Sequence, residues 1–249
     1  MRAPSRSLSN RFACCALSVP LDWRTMRPPA PSIATQSKSL TGSYGNCVKA
    51  GEIVGIAGVA GNGQRELAEA IADAGLTCTV TCIEPYPTRF LLDAHGRGEI
   101  GLVQAAVQSL DYGFLEQLEA GDLFFVDSTH TLGPAGEVSR IILEMLPRLA
   151  PGVYAHFHDI AFPYDYQGDI LTTALFCWHE TALLHGFLAC NERFRILASL
   201  SMLHFGRQAE LGALFPGYTP RQTAEGVTTR EGDYPSSIYL QAGTRNAAG

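Results

Sequence analysis

The chain lacks an apolar run long enough to cross a bilayer. Ala13–Leu21 is apolar but short and broken by Pro20, whereas a membrane-spanning helix needs about 20 residues. It also lacks a surplus of positive charge: 18 Lys and Arg stand against 24 Asp and Glu, a net charge of −6. That balance gives no reason to expect nucleic acid or an anionic membrane as partner. Residues 1–50 hold seven Lys/Arg and one Asp, so the other eleven basic residues face twenty-three acids, a balance of −12. The seven cysteines, at 14, 15, 47, 78, 82, 177 and 190, are odd in number and lack the spacing of a zinc site or a disulfide framework. They read as buried free thiols in a reducing compartment, which fits a cytoplasmic protein.

At 249 residues, 46% of them apolar and 17% charged, the chain can bury one full core. Residues 1–46 are rich in Ser, Pro and Arg, contain Pro28-Pro29-Ala30-Pro31 and show no sustained periodicity. They read as a poorly structured leader, and residues 47–249 as a single α/β domain.

The centre of that domain is Asp122–Asp159. Two short apolar runs, Leu123–Val126 and Val153–Phe157, each end in polar, ionisable residues. Runs of this kind suit strands buried on both faces of a parallel sheet. Between them Val138, Ile141, Ile142, Met145 and Leu149 recur at helical spacing, with Gly152 expected to close the helix. The unit reads as strand–helix–strand. In open α/β sheets ligands sit beyond the carboxyl ends of the strands. Asp127, Ser128, Thr129 and His130 follow the first strand, and His158 and Asp159 follow the second. Asp127, His130, His158 and Asp159 are therefore the catalytic candidates, while His156 reads as a structural core residue.

Other elements are expected at Ile53–Ala57, Thr77–Ile83, Ile100–Val107, Phe194–Leu203 and Ser236–Gln241 as strands. Arg89–Ala94, Phe114–Glu119 and Ala174–Ala189 are expected as helices, the last carrying Trp178, His179 and Glu180. Gly58–Gly63 is a glycine-rich turn between a strand and the helical Gln64–Ala74. Such a turn lets the backbone approach a phosphate or ribose. Glu84 ends the second strand about 20 residues beyond that turn, the place of a ribose-binding acid.

GEIVGIAGVAGNGQREL, beginning at Gly51, resembles the degenerate phosphate loop in the second ATPase domain of sugar-type ABC transporters. A working loop needs Lys and then Ser/Thr after its last glycine; Gln64 and Arg65 stand there instead. No transporter signature or Walker B strand follows, so ATP hydrolysis is not expected.

A second resemblance covers about Thr77–Gln241. CIEPYPTR, VQSL, LEAGDLFFVDSTH, EVSRIILEMLPRLAPGV, HFHDIAFPYDY, FLACNERFRI and PSSIYL occur in the order seen in a group of class I S-adenosylmethionine-dependent methyltransferases. The resemblance implies a Rossmann-like α/β fold: a mostly parallel seven-stranded sheet, its last strand antiparallel, with helices on both faces. It implies methyl transfer from S-adenosylmethionine to a hydroxyl, or an amine, of a small molecule or saccharide. With the glycine turn and Glu84 read from the residues themselves, the cofactor-binding candidates are Gly58, Gly61, Gly63, Glu84, Gln108 and Asp127. The family's E-x-G-S-G turn is missing, and the transporter-like GIAGVAGNGQ stands in its place.

A hydroxyl acceptor must lose its proton, to a general base or with the help of a cation. Asp127 and Asp159 could hold Mg²⁺ or Mn²⁺, with His130 or His158 as base, and Trp178 and Glu180 could line the acceptor pocket. Two other classes stay open: an inactive protein of the same fold, and a nucleotide-binding module related to transporter ATPases. The sequence leaves the acceptor and the oligomeric state open.

Overall fold

A computed structural model describes residues 53–58, as backbone, and residues 78–166, 170–173, 175–215, 217–224, 226–227 and 234–244. In chain order the first half holds β1 (Ile53–Gly58), β2 (Thr79–Ile83), α1 (Arg89–Gly96), β3 (Gly101–Val103), β4 (Leu123–Asp127), α2 (Glu137–Arg140) and β5 (Tyr154–His158). The second half holds α3 (Ile170–Thr173), α4 (Glu180–Ala189), β6 (Phe194–Ser199), α5 (Leu200–Gly206), α6 (Gln208–Leu214), the short pair β7 (Gln222–Thr223) and β8 (Gly226–Val227), and β9 (Ser237–Ala242).

The main sheet runs β3-β2-β1-β4-β5-β9-β6. The five strands from β3 to β5 are parallel, and β9 is antiparallel to both its neighbours. β1 lies between β2 and β4, with Ala57 opposite Ile83 and Gly58 opposite Asp127. The chain leaves β1 toward β2 on one side and later returns to β4 on the other. The strand order therefore reverses between β1 and β4, which is where such sheets open a ligand crevice. The Rossmann-like α/β fold expected from the sequence is the fold observed.

Alternation along β4 divides its side chains between two cores. Phe124 and Val126 join Phe157 of β5 in a cluster with Val138, Ile141, Ile142, Met145, Leu146 and Leu149. Phe125 joins Val80 and Cys82 of β2 with Leu91 and Ala94 of α1. α1 starts at Thr88, whose hydroxyl accepts from the Leu91 N–H at 3.4 Å.

The helical stripe after β4 is buried as expected, but the winding differs. α2 passes into a wider turn at Ile141–Met145 and then a tight turn at Leu146–Arg148. Pro147 has no N–H to donate and crowds the preceding turn, so a regular helix cannot continue through it. Arg193 takes over the stranded carbonyls: its guanidinium donates to Pro147 O at 2.8 Å and to Leu149 O. Gly152 does not close this helix. It lies further on at φ +89°, in the turn into β5, where a Cβ would come within 2.6 Å of the Ala120 Cβ.

Other boundaries differ too. The expected helix Ala174–Ala189 begins only at Glu180, leaving Trp178 and His179 in the loop before it. The expected strand Phe194–Leu203 ends at Ser199, whose hydroxyl accepts from the Met202 N–H at 3.3 Å and starts α5. β3 covers only Gly101–Val103, and the expected helix at Phe114–Glu119 is a single tight turn, Leu115–Gln117.

Candidate functional site

β4 and β5 are adjacent and parallel, so the polar runs that follow them leave the same edge of the sheet. Asp127, the last residue of β4, is buried, and His158, the last of β5, is partly buried. Asp127, His158 and Asp159 each present one ligand atom, and the three atoms lie within 4.8 Å of one another. His158 Nδ1 is 3.3 Å from Asp159 Oδ1 and 3.7 Å from Asp127 Oδ1. His130 Nε2 lies 3.6 Å from Asp127 Oδ1 and 3.8 Å from Asp159 Oδ2. All four catalytic candidates therefore meet in one place.

The backbone is bent to achieve this. His130 and Asp159 both adopt left-handed conformations, at φ +58° and +51°. Non-glycine residues persist there only when their surroundings over-determine them. Asp159 is held by Ser236, whose hydroxyl donates to Oδ1 at 3.1 Å, and by the Tyr166 hydroxyl, which donates to its carbonyl at 2.7 Å. His130 is held by Glu180 and Ser128. Glu180 is fully buried, and its Oε2 lies 2.7 Å from His130 Nδ1 while accepting from Ser128 Oγ at 2.7 Å. Trp178 packs on the His130 ring with centroids 4.6 Å apart.

The charges in the cluster are coupled. Burial opposes a charge on His130, but the carboxylates of Asp127, Glu180 and Asp159 outweigh it and push the imidazole up to about 10. Burial likewise works against His158, whose pKa is nevertheless raised, by Asp159 first and then Asp127. Asp159 is shifted down: burial would raise it, but its contact with His158, the His130 charge and the Ser236 hydroxyl prevail. Among the described residues, Asp127 Oδ2 and Glu180 Oε1 are buried without a hydrogen-bond partner.

The residues implied for cofactor binding are only partly placed. Gly58 ends β1 directly beside Asp127. Glu84 follows β2 at the same edge, fully buried, with Oε1 accepting from the Tyr86 N–H at 2.8 Å. Gln108 is exposed in the single turn Val107–Ser109 and is not part of the convergence. Gly61 and Gly63 lie outside the described residues, as does most of the phosphate-loop-like stretch. The sequence assigned no role to Ser128, Tyr166 or Ser236. Their one signal was a place inside the blocks FVDSTH, PYDY and PSSIYL.

Residues 57–160 match a family model described as a methyltransferase domain. The match begins inside the transporter-like stretch, at the end of β1. No curated protein sequence matches the chain. Among solved structures, Aeropyrum pernix fibrillarin with natively bound S-adenosyl-L-methionine is similar at 12% identity and TM-score 0.40, covering 78% of this chain and 67% of that one. The plantazolicin methyltransferase BpumL, in complex with SAH, is similar at 12% identity and TM-score 0.41, covering 77% and 76%. A structure concerned with conversion of a disulfide bond into a thioacetal group in echinomycin biosynthesis reaches 16% identity and TM-score 0.43, covering 76% of each chain. Among the described residues no helix is long and apolar enough to cross a membrane. Residues 57–160, less than half of the chain, are thus similar to a methyltransferase domain.

Proposed function

We propose that the protein transfers the methyl group of S-adenosylmethionine to a hydroxyl, or less readily an amine, of a small molecule or saccharide in the cytoplasm. The observation that carries this reading is the convergence of Asp127, His158 and Asp159 within 4.8 Å at the sheet edge that also holds Gly58 and Glu84. Bound S-adenosylmethionine supplies an electrophilic methyl on a sulfonium. Glu84 would accept the ribose hydroxyls, with Gly58 and Asp127 beside it, and the glycine turn that carries Gly61 and Gly63 would complete the cofactor cradle, while exposed Gln108 stands apart from it. Because displacement at that methyl is in line, the protein acts chiefly by aligning the acceptor and excluding water.

The donor set also fits a hard divalent cation, Mg²⁺ or Mn²⁺. Asp127 and Asp159 supply carboxylate oxygens with His158 in the same reach, and Asp127 Oδ2 is buried with no other partner among the described residues. When bound, such an ion lowers the pKa of an acceptor hydroxyl. His130 or His158 would take the proton that the acceptor gives up, His130 only once a bound cation offsets the carboxylates that hold it charged.

The test is transfer of labelled methyl groups from S-adenosylmethionine to a panel of hydroxyl-bearing small molecules and saccharides, with and without chelator. We expect turnover that chelation abolishes. Asp159→Asn should lose Mn²⁺ binding while keeping its circular dichroism spectrum. Turnover indifferent to chelator but lowered in kcat by His158→Ala would replace the cation with a metal-free base. No transfer to any acceptor would count against the reaction.

A further inference from the structure

Glu180 is a fully buried carboxylate, and among the described residues its ion-pair partner is His130. A buried carboxylate is costly unless paired and hydrogen-bonded, so its place calls for an account. The two residues are joined at three points. Glu180 Oε2 sits 2.7 Å from His130 Nδ1. Ser128 Oγ donates to that same oxygen at 2.7 Å and accepts from the His130 N–H at 3.0 Å. The N–H groups of His179 and Glu180, where α4 begins, donate to the His130 carbonyl at 2.7 and 3.2 Å. The N–H, carbonyl and Nδ1 of His130 are thus all engaged, and Trp178 covers its ring. Nε2 is the polar atom left over, and it faces Asp127 and Asp159.

We infer that Glu180 is a positioning residue: it fixes the His130 ring so that Nε2 stays wedged between the two aspartate carboxylates and sets how they face the acceptor. A carboxylate behind a histidine orients the ring and commits its far nitrogen to the site, as second-shell carboxylates do at metal centres. The contact spans 50 residues of sequence, so α4 carries part of the site although it contributes no group to the cluster itself. This inference rests on reading the cluster as the methyl-transfer site.

The experiment compares wild type, Glu180→Ala, Glu180→Gln, His130→Ala and the double variant His130→Ala/Glu180→Ala. Imidazole proton NMR is recorded beside the kinetics. Wild type should show a downfield Nδ1–H resonance that His130→Ala removes. Glu180→Ala should lose it too and drop kcat by about 10–100-fold, with KM for S-adenosylmethionine within about twofold of wild type. Glu180→Gln keeps an acceptor for Nδ1–H, so it should retain the resonance and most of kcat. This variant carries the comparison should the alanine fail to fold. Adding Glu180→Ala to His130→Ala should lower kcat no further, because the carboxylate acts through the ring. The inference is overturned if the resonance survives in Glu180→Ala, if kcat is unchanged there, or if the double variant is a further tenfold slower. It is also overturned if Glu180→Gln keeps the resonance but loses activity. Should wild type transfer no methyl group at all, the proposed reaction fails, while the resonance still decides the role of Glu180.

Discussion

At the scale of single residues, His156 shows what the interior does to a charge. Its ring stacks on Tyr239 at 4.2 Å and meets the edge of Phe125 at 4.9 Å, and neither nitrogen has a hydrogen-bond partner among the described residues. Burial, helped by His158, pushes its pKa down to about 3. The unfolded chain takes this proton from about pH 6.5 downward and the folded chain only near pH 3. The unfolded state therefore binds more protons across that window. Stability is full above pH 6.5 and falls as pH drops toward 3, by up to about 1.4 kcal/mol per unit. Between pH 7 and 5 this residue should cost wild type on the order of 2 kcal/mol, and His156→Phe should be spared that loss in denaturant titrations at the two pH values. An equal loss in both proteins would contradict the assignment. Cys82 makes a second case. Burial and the nearby Glu84 carboxylate raise its thiol to about 12, so iodoacetamide at pH 8 should leave it intact in native protein while exposed Cys177 and Cys190 react. The quartet Asp127, His130, His158 and Asp159 was legible because each pair directly follows an apolar run. The contact from Glu180 to His130 was not, since nothing local in either stretch signals a partner 50 residues away.

At the scale of elements, sequence period found the faces and tertiary chemistry decided the ends. The stripe from Val138 to Leu149 is buried as its spacing implied, yet Pro147 rewinds the helix that carries it. Ser199 stops β6 because its hydroxyl caps the next helix, a choice that an apolar run through Leu203 could not reveal. Gly152 was expected to close the helix, but it stands beyond it, in the turn into β5. Its φ of +89° and the 2.6 Å approach to Ala120 make Gly152→Ala unfavourable in two ways. The variant should lose about 1–3 kcal/mol, read as a lower denaturation midpoint at unchanged slope. An unchanged midpoint would mean that the turn before β5 can rearrange freely.

At the scale of the whole molecule, the atypical glycine stretch is the main question. β1, which precedes it, occupies the centre of the sheet between β2 and β4, and the methyltransferase-domain match begins at its end. Both observations concern β1 alone, since residues 59–77 lie outside the described residues. Residues 1–46 lie outside the described residues. On composition we propose that they are dispensable for folding: a chain beginning near Val48 should keep its thermal midpoint, and a drop of many degrees would show that the leader packs on the domain. We propose that the crevice beside β1 and β4 takes S-adenosylmethionine. Calorimetric titration of the purified protein with S-adenosylmethionine and, separately, with ATP tests it most directly. We predict saturable binding of S-adenosylmethionine, weakened by about 1.5–3 kcal/mol in Glu84→Ala, and none of ATP. Binding of ATP without S-adenosylmethionine, or of neither, would contradict it.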